Sequence, residues 1–147
     1  MTLESEVQSL RQVPMFRDVD PARLKLLAFT SDRVQFTDGQ RFFAQGDASD
    51  AAYVVLDGEA EVLLEPDGGE AIRLAVLGRT ALVGEMGILS DAPRSASVKA
   101  LGPTTALRID RRVFLELLGQ FPQIAVAVMR ELARRLEQTN QKLAERA

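Results

Sequence analysis

The segment Gly84-Glu85-Met86-Gly87-Ile88-Leu89-Ser90-Asp91-Ala92-Pro93-Arg94-Ser95-Ala96 joins a glycine-opened turn, a carboxylate, a short apolar turn of helix and a lone arginine followed by two small residues. A guanidinium can fork onto a phosphate through two parallel, charge-assisted hydrogen bonds. The small residues behind Arg94 let backbone N–H groups approach the same anion. Gly84-Glu85 opens a helix whose first-turn N–H groups have no helical partner. A carboxylate repels phosphate, so Glu85 calls for a neutral polar partner, and a sugar hydroxyl suits it. Anion and hydroxyl sites this close in sequence suggest a nucleotide held by phosphate and sugar. Taken singly, the residues allow plainer roles. Arg94 could be a solvated arginine, Glu85 a carboxylate favoured at a helix N-terminus, Gly84 and Gly87 turn glycines, and Ser95 a passive small residue.

On both sides of this segment the texture is that of short strands. Runs rich in Val, Phe, Leu and Ile occupy 33–36, 41–44, 52–56, 60–65, 71–77, 97–101 and 104–109. Turn signals separate them: Asp38-Gly39, Gly46-Asp47, Asp57-Gly58, Asp67-Gly68-Gly69 and Gly102-Pro103. Many short strands at this spacing predict a sandwich or closed barrel, of which the jelly roll is the double-sheet version. Leu74, Val76, Val83, Ile88, Leu89 and Val98 are expected to line that barrel. Asp67-Gly68-Gly69 lacks both the Lys-Ser/Thr of a P-loop and the spaced acids of a calcium loop, and reads as a hairpin turn. Helices flank the β region. Leu3, Val7 and Leu10 have helical spacing up to Pro14, and Pro21 opens a second helix carrying Leu24, Leu27 and Ala28. Asp110 looks like an N-cap for 111–118, and Phe121-Pro122 opens a long final helix.

The quoted segment resembles the phosphate-binding cassette of cyclic nucleotide-binding domains. That module occurs in cAMP receptor-type bacterial regulators, cAMP-dependent kinase regulatory subunits and nucleotide-gated channels. The cassette runs Gly-Glu, a short helix, then Pro-Arg-small-Ala, and every element stands here at the expected spacing. The resemblance extends from about Val13 to Leu143 and includes Asp38-Gly39, Gln45-Gly46-Asp47 and Leu56-Asp57-Gly58. It implies a mainly β fold with flanking helices: a double-stranded β-helix, or jelly-roll barrel, over about 33–109, with N-terminal helices before it and a helical segment over about 110–146. The whole of 1–147 would be one cyclic nucleotide-binding domain. It also implies that Arg94 grips the cyclic phosphate and Glu85 the ribose 2′-hydroxyl. Gly84, Met86, Gly87, Ser95 and Ala96 would complete the cassette contacts. A family threonine at the position of Ser95 goes with cGMP, so serine leans toward cAMP. Two positions depart from the pattern: Val83 stands for an aromatic before the Gly-Glu, and Thr80 for a glycine four residues before Gly84.

The final helix is expected to do more than pack. Ile124, Val128, Leu132, Leu136, Thr139 and Leu143 recur at steps of three and four. Beyond Arg134 only a thin seam of Leu136, Thr139 and Leu143 survives among polar residues, which suits a two-helix interface better than a core. Ala133-Arg134-Arg135-Leu136-Glu137-Gln138-Thr139 resembles the segment through which the bacterial regulators pair with a symmetry mate and reach the purine. By that resemblance the chain would be a homodimer, and Thr139 and Asn140 would contact the base; read alone, they are surface residues. The expected mechanism has two states, with nucleotide binding closing the cassette and the final helix moving over the base.

Composition bounds the alternatives. At 147 residues the chain has the commonest single-domain length, with 46% apolar and 27% charged residues. A net charge of −3 argues against a nucleic-acid surface. Without His or Cys, Ser-His and Cys-His nucleophile pairs and ordinary zinc sites are impossible, so neither an enzyme nor a metal is expected. The start lacks a signal peptide's basic and apolar regions, and no stretch approaches the ~20 apolar residues of a membrane span. A cytoplasmic location without membrane contact is therefore expected. Residues 1–147 hold no helix-turn-helix, which suits both a stand-alone sensor and a piece of a larger regulator, and the partner expected to receive the signal is an unknown effector. Two other readings remain: a ligand-independent dimerisation or interaction module of the same fold, and the sensor half of a DNA-binding transcription regulator.

Overall fold

The computed structural model describes residues 2–146. Three helical pieces come first: α1 (Leu3–Arg11), a 3-10 turn (Pro14–Phe16) and α2 (Pro21–Thr30). Six strands follow: β1 (Asp32–Phe36), β2 (Arg41–Phe43), β3 (Ala51–Leu64), β4 (Ile72–Leu77), β5 (Leu82–Val83) and β6 (Ser97–Asp110), with α3 (Glu85–Leu89) between β5 and β6. The chain closes with α4 (Arg111–Gln120) and α5 (Pro122–Arg146). Helix starts follow capping chemistry: the Thr2 hydroxyl accepts the Ser5 N–H at 3.2 Å, Asp20 accepts the Ala22 N–H at 3.1 Å, and Asp110 accepts the Arg112 N–H at 2.9 Å.

Two of the expected boundaries are not strand ends. The runs at 52–56 and 60–65 form the single strand β3, and those at 97–101 and 104–109 the single strand β6. Asp57-Gly58 and Gly102-Pro103 are bends that lie opposite each other: the register skips around Asp57, resuming with Glu59 against Leu101. Local turn chemistry is present at both places, but the paired bend lets the two long strands turn together instead of separating. Each therefore runs through both halves of the roll. One half orders β1, β6, β3 and β5, with Phe36 against Thr104, Val55 against Ala106 and Tyr53 against Val83. The other orders β2, β6, β3 and β4, with Arg41 against Lys99, Val62 against Val98 and Ala60 against Leu77. This is the jelly-roll arrangement, with N-terminal helices and a long C-terminal helix.

The alternation of β3 divides the core in two. Ala51, Tyr53 and Val55 point into the roll, beside Phe36, Phe42, Val83 and Val98. Ala52, Val54 and Leu56 point outward under the helices, against Leu24, Leu107, Ile109, Phe114 and Ile124. Both faces of the first half of β3 are covered, which is why it reads as an unbroken apolar run. Ile88 joins the helix-side cluster, so of the six residues expected to line the barrel only Val83 and Val98 do. Leu74 and Val76 are exposed because alternate residues of β4 face away from the roll, and Leu89 is exposed at the end of α3.

The turn before β5 carries Thr80 at φ 72°, pinned by its N–H to the Val55 carbonyl at 2.8 Å. A left-handed conformation costs a β-branched residue about 1–3 kcal/mol. Glycine is free of that cost but gives back about 0.5–1 kcal/mol through the entropy of the unfolded chain. Thr80→Gly is expected to raise stability by about 1 kcal/mol, read as an upward shift of the thermal midpoint.

Candidate functional site

The cassette is launched by β5, whose pairing with β3 delivers Gly84 to the start of α3. Gly84 sits at φ 85°, where a side chain is strained, and a Cβ there would lie 2.8 Å from Arg94 Nη1. Gly87 has a different reason. A Cβ on it would lie 2.0 Å from Ser49 Oγ, so glycine lets α3 press against the loop before β3. Ser49 Oγ in turn donates to the Ala92 carbonyl at 2.6 Å. The Arg94 backbone is tied to the β2–β3 loop at both ends, with the Gly46 N–H donating to Arg94 O and the Arg94 N–H to Asp47 O, each at 2.8 Å.

These ties bury the Arg94 side chain, which is only 3% exposed. Nη1 donates to the Gly84 carbonyl and Nη2 to the Ala51 carbonyl, each at 2.6 Å. The nearest carboxylate, Asp50 Oδ1, lies at 3.6 Å and belongs to an exposed side chain that also pairs with Arg108 at 3.3 Å. Nε is buried with no hydrogen-bond partner. Burial pulls the guanidinium pKa down, and Asp50 only partly offsets it. The result is a desolvated cation with one nitrogen wholly unpartnered, the state that a bound anion would relieve.

Glu85 is 2% exposed, and burial pushes its carboxyl above the ordinary glutamate range. Its partner comes from α5: Arg135 Nη1 donates to Glu85 Oε1 at 2.9 Å and Nη2 to the Leu82 carbonyl at 3.1 Å. Arg135 Nε also reaches Glu131 Oε1 at 3.2 Å. The carboxylate read from sequence as a sugar ligand is thus held by the final helix.

Gly84, Glu85, Met86, Gly87, Arg94, Ser95 and Ala96 all border one cavity, closed on its other sides by Phe43, Val62, Leu77, Val83, Val98 and Arg135. Its volume is about 90 Å³, against ~300 Å³ or more for pockets that enclose a small molecule. Thr139 and Asn140 are not brought to it. Both are exposed on α5 beyond Arg135, and Thr139 Oγ1 donates to the Arg135 carbonyl at 3.0 Å within its own helix. Sequence reasoning missed Arg135, Phe43 and Asp50. Arg135 is separated by 50 residues from Glu85; its one local signal is its place a helical turn before Thr139. A larger groove of about 560 Å³, lined by Arg23, Leu27, Leu117 and Phe121 among others, shares no residue with the cassette cavity. Among the described residues there is no cluster of acidic side chains that could hold a metal, and no single helix is long and apolar enough to cross a membrane.

A jelly roll with a glycine-launched short helix, and a buried arginine and glutamate on one cavity, has the build of a ligand-binding domain. The chain belongs to the cyclic nucleotide-binding domain family, whose sequence profile matches residues 33–121. It is 30% identical over 137 residues to a CRP-like cAMP-activated global transcriptional regulator of Mycobacterium tuberculosis, covering 92% of this chain and 61% of that protein. A cAMP-dependent protein kinase regulatory subunit of Blastocladiella emersonii is 30% identical over 115 residues, with 78% and 28% of the two chains covered. The crystal structure of the Thermus thermophilus catabolite activator protein superposes with a TM-score of 0.78 at 33% identity, covering 89% of this chain and 62% of that one. The chain spans about three fifths of the length of its bacterial regulator relatives.

Proposed function

We propose that this chain is a cyclic-nucleotide sensor module, with cAMP as its preferred ligand over cGMP. The observation that carries this is the buried Arg94, whose Nε has no partner, on a cavity that Glu85 also lines. Arg94 holds the cyclic phosphate. Glu85 accepts the ribose 2′-hydroxyl, and Gly84, Met86, Gly87, Ser95 and Ala96 frame the cassette. Nothing in this chemistry calls for a metal or a catalytic step: residues 1–147 act as one regulatory domain in the cytoplasm.

The response is a movement of α5. A ribose hydroxyl competes with Arg135 for Glu85, and the small cavity opens only if the Arg135 guanidinium gives way. Once Arg135 has released Glu85, the cassette closes on the nucleotide, and the ligand shifts the population only by its difference in affinity for the two states. The repositioned helix covers the base, where Thr139 and Asn140 make its polar contacts. Bound cAMP at about a hundred times its dissociation constant adds ~2.7 kcal/mol to stability, so a rise in thermal midpoint with cAMP, and none with AMP, is the test.

Alpha helix 5 also carries the dimer contact. Val126, Met129, Leu136 and Leu143 are exposed along it, a stripe that a second copy covers. Leu136→Glu is expected to turn dimer into monomer, read by sedimentation velocity, with little change in the thermal midpoint of the domain. The likeness to a CRP-like cAMP-activated global transcriptional regulator favours a more specific setting, the sensor half of a DNA-binding transcription regulator. In that setting an effector domain receives the movement of α5 and this chain does not touch nucleic acid.

A further inference from the structure

β2 carries two consecutive phenylalanines, and a regular strand would send them to opposite faces with both in register. Here the pairing skips: Arg41 opposes Lys99 and Phe43 opposes Val98, which leaves Phe42 as the extra residue of a bulge. Bulges beside functional sites re-aim side chains. Phe42 enters the core and stacks on Phe36, centroids 4.0 Å apart and planes within 6°. Phe43 turns instead onto the cavity wall, where Arg94 Cζ lies 3.9 Å from its ring centroid. The ring covers one face of the guanidinium while the Gly84 and Ala51 carbonyls hold both terminal nitrogens. Nε alone of the three guanidinium nitrogens is buried with no acceptor at all.

We propose that Phe43 is a positioning residue for the anion site: its ring fixes the plane of the Arg94 guanidinium, so that an anion must approach in that plane along the unpartnered N–H edge. This rests on the nucleotide reading of the cavity. The ring's negative face also favours a cation that burial has stripped of water. Leucine keeps the apolar bulk and loses that face; tyrosine keeps both.

The test compares this chain with its Phe43→Leu and Phe43→Tyr variants, with Phe43→Met in reserve if the leucine variant does not fold. Two quantities are read: the cAMP dissociation constant, and the Arg94 Nε–H resonance without nucleotide, assigned by its absence in Arg94→Lys. Phe43→Leu is expected to weaken cAMP binding about tenfold, which is ~1.4 kcal/mol; Phe43→Tyr stays within about twofold. The resonance, shifted upfield by the ring in the parent chain, moves downfield in the leucine variant and stays put in the tyrosine variant. Equal affinities for the leucine variant and the parent, or equal losses for leucine and tyrosine, overturn the proposal. If the parent binds no cyclic nucleotide, the nucleotide reading fails, and a resonance indifferent to leucine overturns the positioning role separately.

Discussion

Arg94→Ala is expected to weaken cyclic-nucleotide binding by about 30-fold to several thousandfold. Removing one partner of a buried charge pair costs about 2–5 kcal/mol, and ~1.4 kcal/mol is a factor of ten. The upper part of the range is the more apt, because Arg94 is desolvated before ligand arrives and, among the described residues, Arg135 is the one other cation lining the cavity. The substitution also strips the Gly84 and Ala51 carbonyls of their donors, so the variant is expected to melt lower as well. Comparing Arg94→Lys separates the two effects. Lysine keeps a charge but cannot fork, and should fall between the parent and the alanine variant in affinity. A loss of less than threefold in Arg94→Ala would remove Arg94 from the site.

Arg135→Ala is expected to destabilise the domain, and to do so in a pH-dependent way. Breaking a buried ion pair by deleting one member costs about 3–5 kcal/mol; with Arg135 27% exposed, solvent screening brings the expected loss to about 1–3 kcal/mol. The sign follows from Glu85. Burial raises its folded pKa and Arg135 pulls it back. A carboxyl whose folded pKa is raised stabilises the fold below its unfolded pKa, and that contribution is lost as pH rises through the folded value. Without Arg135 the folded value climbs further, so the loss grows. Urea midpoints of parent and variant should therefore differ more near pH ~8 than near pH ~5. A larger gap at the acid end would mean that Glu85 is not the group that Arg135 stabilises.

What the chain disclosed of itself depended on how local each feature was. The cassette is contiguous, and glycine, carboxylate and arginine keep their order within thirteen residues, 84–96, so their shared cavity could be anticipated from spacing. The cap at Asp110 was legible for the same reason. The bends at Gly58 and Gly102 were not, because each carries proper turn chemistry and only the opposite strand shows that pairing continues past it. The outward facing of Leu74 and Val76 was hidden too: alternation along β4 marks two faces without saying which one the roll covers. The Arg135–Glu85 pair joins the last helix to the cassette, and Phe43 reaches Arg94 only through a bulge in β2. Beyond the place of Arg135 a helical turn before Thr139, neither contact leaves a trace in local spacing. Thr80 left a partial one, since a departure from glycine marks the position that proves to have φ 72°.

The most direct measurement is a calorimetric titration of the purified chain with cAMP and cGMP in parallel, with Arg94→Ala beside it. Binding is expected at micromolar concentration or below, tighter for cAMP, and lost in the variant. No heat with either nucleotide, together with an unshifted thermal midpoint, would contradict it and leave α5 as the functional surface of an interaction module.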